Sequence, residues 1–314
     1  MNEILEKIEK ASHIVLISHP TPDADSIGSA SAMYSFLLQN HKKVSWFCKS
    51  EIINNKFSFI PWFENIRATF PTSADLAISL DCADKKRLGV DVECDLINID
   101  HHATNSNYGD INFVKTNSIS TTEILHNFFK ENGVKINKKM ATALYAGLLD
   151  DSDAFLSDEV DGTTFALAKE LIEHGADYKL CNKNIIKSVS LAALRLKAVM
   201  FKNMSLEFDA RVALFCVSDE DMRGTGAVSE DCEAALEESL NLIHVEVALL
   251  LKQNSDFTIK GSFRSSSTLD CAKIAANFGG GGHIRRAGFD IESRVPLDEI
   301  RREVLNLIKK EIVV

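Results

Sequence analysis

The chain has 314 residues, about twice the usual length of one domain, so two domains are expected. Apolar residues make up 45% and charged residues 25%, which excludes a disordered, collagenous or fibrous chain. The net charge of −10 excludes a protein that coats long duplex DNA, because neutralising many phosphates needs a broad basic face. No apolar run approaches the roughly 18 residues of a membrane span, and the start, MNEILEKIEK, does not read as a signal peptide. Seven scattered cysteines (Cys48, Cys82, Cys94, Cys181, Cys216, Cys232 and Cys271) form no C-x-x-C pair. That pattern fits buried filler in a reducing compartment, not a disulfide framework or structural zinc. A cytoplasmic location is expected.

In chain order, residues 2–10 have the spacing of an amphipathic helix, and 13–18 form a short apolar strand. A polar loop follows, and 27–38 returns to helical spacing. Further strands are expected at 44–48, 76–80 and 96–99, with helices near 121–130, 138–149 and 163–174. Apolar strands alternating with helices predict an α/β domain built on a parallel sheet with helices on both faces. Residues 176–204 read as one mostly polar helical stretch between two cores. Beyond it, strands at 211–217, 245–252 and 257–263 and helices at 231–240, 270–277 and 297–310 predict a smaller mixed α/β domain. The expected division is a catalytic domain over 1–180, a helical linker over 181–204 and a substrate-binding domain over 205–314.

The chemistry-bearing residues fall at element ends. His19, Asp23 and Asp25 lie in the loop after the first strand, where an open α/β sheet places its ligands; taken alone, Asp25 or Ser26 would cap the next helix. Asp81 ends the run 76–80, Asp100-His101-His102 ends 96–99, and Asp150-Asp151-Ser152-Asp153 ends the helical run 141–149. Carboxylates gathered at one sheet edge repel and lose solvation unless a cation neutralises them. An oxygen-rich set with imidazole and no thiolate points to Mn²⁺ or Mg²⁺ rather than structural zinc. Downstream, Gly280-Gly281-Gly282-His283 precedes Arg285 and Arg286, and Arg264-Ser265 ends a strand; together they suggest an anion cradle. His13, His41, His126, His174 and His244 show no clustering, and Trp46 and Trp62 read as core. Ser120-Thr121-Thr122-Glu123 reads as a helix cap.

These motifs, in this order, resemble the DHH phosphoesterase superfamily. The matches are H-x-x-x-D-x-D-x-x-G-S at 19–29, the strand-end Asp81, Asp-His-His at 100–102, Asp151 after a helix, and G-G-G-H-I-R-R-A-G at 280–288, which is similar to the DHHA1 signature. The resemblance is strongest to the NrnA-type branch, whose members degrade very short oligonucleotides (nanoRNA) and dephosphorylate pAp. It implies two Mn²⁺ ions, one held by His19, Asp23 and Asp81, the other by Asp25, Asp81, His101 and Asp151, with Asp81 bridging. It further implies that His102 faces the substrate phosphate and that Asp100 orients the histidines. Substrate binding is implied for Arg87, Arg264, Ser265, Gly280, Gly281, Gly282 and His283. Asp153 and Ser152 depart from the usual D-T-G, and Arg286 replaces a small residue. Asp150 and Asp151 both remain candidates for the ligand, the alignment of Gly147 favouring Asp151.

Expected partners are short single-stranded RNA or DNA oligonucleotides, dinucleotides or pAp, with no long duplex and no membrane; a homodimer is compatible with the sequence. Cyclic dinucleotides such as c-di-AMP are the rival substrate, since the ligands required are identical. A binding module that senses nucleotides would need lost ligands, and every expected ligand is present.

Overall fold

The computed structural model describes residues 2–50, 53–292 and 295–312. It divides into two units at Ser188 and Val189. Among the described residues no helix is long and apolar enough to cross a membrane.

The first unit opens with α1 (Asn2–Lys10), β1 (His13–Ser18), α2 (Ala24–Gln39) and β2 (Lys43–Cys48). It continues with β3 (Ile66–Arg67), β4 (Leu76–Leu80), β5 (Asp95–Asp100) and β6 (Ile111–Val114). It closes with α3 (Thr121–Glu131), α4 (Lys138–Asp151), α5 (Gly162–Glu173) and α6 (Tyr178–Cys181). Every residue of β1 and β4 is buried, in keeping with their largely apolar sequences. The strands form one sheet in the order β3-β2-β1-β4-β5-β6, and every pair is parallel. Strand order therefore reverses between β1 and β4. The connections leaving the carboxyl ends of those strands diverge, which opens a crevice there.

Helices α2 and α4 close over this edge at short range. A Cβ on Gly28 of α2 would sit 2.4 Å from the Ala143 carbonyl oxygen of α4, so only glycine permits the approach. The cap of α2 differs from expectation. Asp23 takes it, accepting from the Ser26 N–H at 2.9 Å, which leaves the Asp25 carboxylate for other partners.

The second unit contains α7 (Leu191–Asn203), β7 (Ser205–Glu207), β8 (Val212–Val217), α8 (Asp219–Thr225) and α9 (Glu233–Ser239). After these come β9 (Val247–Gln253), β10 (Thr258–Ser265), α10 (Cys271–Ala276), β11 (Gly281–Gly282), β12 (Arg286–Glu292) and α11 (Leu297–Ile312). Its sheet runs β11-β12-β10-β9-β8-β7 and is mixed, with only β8 and β9 parallel. A hairpin through Asn254-Ser255-Asp256 joins β9 to β10, closed by Asn254 N–H to the Thr258 carbonyl at 2.9 Å.

The expected unbroken helix over 176–204 is corrected. After α6 the chain makes a π turn at Asn182–Ile186, and Ser190 then starts α7 by capping the Ala193 N–H at 2.9 Å. Leu196 and Met200, one turn apart on α7, are buried with Ala213 and Phe215. Their burial makes α7 part of the second core rather than a free connector. The edge strand β6 and strand β12 were not expected. The first is short and only partly buried, and the second follows directly on the glycine motif.

Candidate metal centre

Strand ends bring the predicted ligands together. His19 follows β1, Asp81 follows β4, Asp100 ends β5, and Asp151 ends α4. Asp81 has φ +57°, an uncommon conformation for a non-glycine residue, and it is held by its N–H to the Ile99 carbonyl at 3.0 Å. Its carboxylate stands 3.7 Å from His19 Nε2, 3.6 Å from His101 Nε2 and 3.6 Å from His102 Nδ1. His101 Nε2 is also 3.3 Å from Asp151 Oδ2. Two ligand groups with metal-site spacing result, His19–Asp23–Asp81 and Asp25–His101–Asp151. A third grouping, Asp81–His101–His102, has the spacing as well. It is the weaker candidate, because the near nitrogen of His102 is committed to Asp100 Oδ1 at 2.7 Å.

Backbone amides and hydroxyls aim this set. Asp25 is fully buried and accepts from the N–H groups of Thr121 at 2.7 Å and Thr122 at 2.9 Å, at the start of α3. The Thr121 hydroxyl donates to Asp81 at 3.2 Å. The Ser120 to Glu123 segment caps α3 as expected and also anchors two acidic members of the cluster. Asn105, absent from the sequence-derived site, donates to Asp100 Oδ2 at 2.5 Å.

The electrostatics show what the cluster lacks. Burial, with the nearby Asp81 charge, pushes Asp23 up to about 6 and raises Asp25 well above the carboxylate range. Burial and the charges of Asp25 and Asp81 push Asp151 up to about 12. For Asp81 burial acts in the same upward direction, but the hydrogen bond and charge of His19 and the charges of His102 and His101 outweigh it and hold the carboxyl below its usual value. The hydrogen bond that His102 donates to Asp100 raises the imidazole above its usual value. Without a cation, then, burial and mutual repulsion favour the protonated forms of Asp25 and Asp151.

A divalent ion fits the donor set. Asp151 Oδ2 is buried with no hydrogen-bond partner. His101 Nδ1 lies 3.3 Å from the Ser118 carbonyl and must carry the proton there, so its Nε2 lone pair faces acceptor oxygens of Asp81 and Asp151. Lone pairs converging on one another call for a cation between them.

Asp150 plays a different part. Its carboxylate accepts from the Ala24 N–H at 2.9 Å, at the start of α2, so it serves as a cap. Asp151→Ala should therefore lower turnover by roughly a hundredfold or more. Asp150→Ala should cost about 1 kcal/mol of stability and leave most turnover. Steady-state rates and thermal unfolding of the two variants check this, and the opposite ranking of rates would mean that the turn is misassigned.

Arg87 lies with its guanidinium 3.3 Å from His19 Nδ1, at the mouth of the cluster. Arg264, Ser265, Gly280, Gly281, Gly282 and His283 lie in the second unit. Arg264 is enclosed by partners within its own unit. It is buried, its Nε donates to Glu237 at 2.7 Å, its NH1 to the Phe263 carbonyl at 2.7 Å, and its NH2 to Glu233. The glycine run is likewise partly committed. The Gly280 N–H donates to the Ala275 carbonyl at 3.0 Å, and a Cβ there would lie 2.2 Å from the Gly288 carbonyl oxygen. Gly281 is exposed with open space at its Cβ position, and His283 is exposed. His126 and His174 are not isolated as expected, since their Nε2 atoms lie 3.5 and 3.9 Å from the same Glu170 oxygen. Trp46 is core, whereas Trp62 is half-buried.

Residues 13–148 match the DHH family, N-terminal domain, and residues 211–312 match the DHHA1 domain. The bifunctional oligoribonuclease and PAP phosphatase of Thermus thermophilus is 26% identical, over 99% of this chain and 93% of that protein. The Bacillus subtilis protein of the same description is 25% identical over 98% of each chain. In fold, the chain is similar to an exopolyphosphatase-related protein from Bacteroides fragilis, with a TM-score of 0.89 at 23% identity, covering 100% of this chain and 97% of that one. The first family match spans the parallel sheet carrying the Asp81 cluster and the second spans the mixed sheet carrying the glycine motif, so the chain belongs to the DHH family of phosphoesterases, in the form that also carries a DHHA1 domain.

Proposed function

We propose that this phosphoesterase is a two-cation phosphodiesterase that hydrolyses oligonucleotides a few units long to 5′-mononucleotides and also removes the 3′-phosphate of pAp. The observation that carries the reading is the placement of Asp81 between ligand groups on β1, β4, β5 and α4. Relatives matched along nearly the whole chain are named for those two activities.

In this reading His19, Asp23 and Asp81 hold one cation, and Asp25, Asp81, His101 and Asp151 hold the other. Bound Mn²⁺ or Mg²⁺ would supply Lewis acidity toward a phosphoryl oxygen and lower the pKa of water. His102 is held through Nδ1 by Asp100, which leaves its Nε2 to carry a proton to the departing oxygen. A guanidinium only donates, so its contact needs a bare His19 Nδ1; a His19 that binds a cation through Nε2 carries its proton on Nδ1 instead. That exchange releases Arg87 to a substrate phosphate. In the second unit the candidate ligand contacts are Arg264, Ser265, His283 and the Gly280, Gly281 and Gly282 backbone, with Arg264 already paired to Glu233 and Glu237. Of these, His283 and Gly281 are the most open to a ligand.

Initial rates with Mn²⁺ on pAp, a linear dinucleotide, a pentanucleotide, a long single strand and cyclic di-AMP test the reading. The dinucleotide and pAp should be the fastest. Preference for cyclic di-AMP would reassign the substrate to cyclic dinucleotides, and fastest decay of the long strand would overturn the short-substrate assignment.

A further inference from the structure

We propose that Asn105 is a positioning residue that fixes the Asp100–His102 pair. The inference rests on the proposed role of His102 at the scissile phosphate. Asp100 is fully buried, so each of its carboxylate oxygens needs a donor. Oδ1 accepts from His102 Nδ1 at 2.7 Å and from the His101 N–H at 2.9 Å. Oδ2 accepts from Asn105 Nδ2 at 2.5 Å. Rotation of the carboxylate about its Cβ–Cγ bond would break all of these at once, and Asn105 is the side chain that holds the oxygen facing away from the histidines.

The orientation of the Asn105 amide is itself settled by its partners. Its Oδ1 accepts from the Asn107 N–H at 2.7 Å, so the opposite end is the NH₂ group that reaches Asp100. The same NH₂ donates to Asn98 Oδ1 at 2.8 Å. Asn98, fully buried on β5, donates in turn to Tyr108 Oη at 3.0 Å. The Tyr108 hydroxyl lies 2.9 Å from the Cys82 carbonyl, and burial raises its pKa, keeping it a donor. A connected polar network thus runs from the β5–β6 loop beneath the sheet edge to His102. Such networks hold a group in one geometry when every member is satisfied. Asn105 belongs to none of the candidate ligand groups, so its effect passes through Asp100.

Asn105→Asp is close to isosteric and replaces the donor with a second carboxylate against Asp100; Asn105→Ala merely removes the donor. With a chromogenic phosphodiester and Mn²⁺, kcat should fall about tenfold in the alanine variant and about a hundredfold in the aspartate variant. KM should stay within about threefold, and bound Mn²⁺ should be unchanged. Proton NMR of the metal-free protein gives a readout independent of turnover. The downfield resonance of the carboxylate-bound His102 Nδ1–H, assigned by its loss in His102→Gln, should shift or vanish in both variants. An unchanged resonance, or equal losses in kcat and 1/KM, would overturn the positioning role. Wild-type protein with the resonance intact and no activity on any oligonucleotide would instead refute the proposed function.

Discussion

Replacing Asp81 with alanine is expected to abolish phosphodiester hydrolysis, with a loss of at least about a thousandfold, as for a group that acts as part of one unit. The reason is its central place. The carboxylate approaches His19, His101 and His102 within 3.7 Å and receives the Thr121 hydroxyl, so it faces both proposed cation sites. Removing it should eliminate metal binding as well as turnover. A cation that binds the native state raises its stability with concentration, by about 2.7 kcal/mol at a hundred times the dissociation constant. The wild-type melting temperature should therefore climb as Mn²⁺ is added, and that of Asp81→Ala should stay flat. Asp81→Asn keeps the volume of the side chain and should behave the same way. Turnover within tenfold of wild type, or an undiminished Mn²⁺-dependent rise, would rule out a shared ligand.

Gly147→Ala is expected to damage both stability and metal affinity through one methyl group. Gly147 lies within α4, where alanine is ordinarily about 1 kcal/mol better than glycine. Here the added Cβ would fall 2.5 Å from Thr122 Cγ2 and 2.6 Å from Asp25 Oδ1. Neither neighbour can easily yield, because Asp25 is pinned by two amides of α3 and Thr122 is buried beside it. Overpacking of this kind typically costs about 1–3 kcal/mol. Relief by expelling Asp25 would also remove a proposed ligand, so Mn²⁺ should bind about tenfold more weakly or worse. Gly162→Ala, at the start of α5 with open space around it, is the control and should be neutral or stabilising. If calorimetry finds the two substitutions alike, the crowding at Gly147 has no consequence and the account of Asp25 fails.

What the sequence determined by itself was largely one-dimensional. Mostly apolar runs marked β1 and β4, because a strand buried on both faces needs apolar residues at most positions; the polar His13, Ser18 and Ser79 are buried with them. The candidate ligand residues were also legible, since His19, Asp81, His101 and Asp151 each follow an apolar run and carry chemistry that an ordinary loop does not need. Tertiary structure decided what depends on partners distant in the chain. Asp150 and Asp151 are indistinguishable by spacing; one became a cap and the other a buried, partnerless acceptor only when α4 packed over the start of α2. The pairing of Arg264 was not legible, because Glu233 and Glu237 lie about thirty residues earlier and only the folding of α9 onto β10 joins them to it. Residues 176–204 looked continuous because local helical propensity cannot reveal that Leu196 and Met200 have a core to enter while the residues around Ser188 do not. Asn105 had no motif at all. Its place beneath Asp100 arises from the return of the chain toward β6, and a buried carboxylate makes that place matter, because its second oxygen must find a donor.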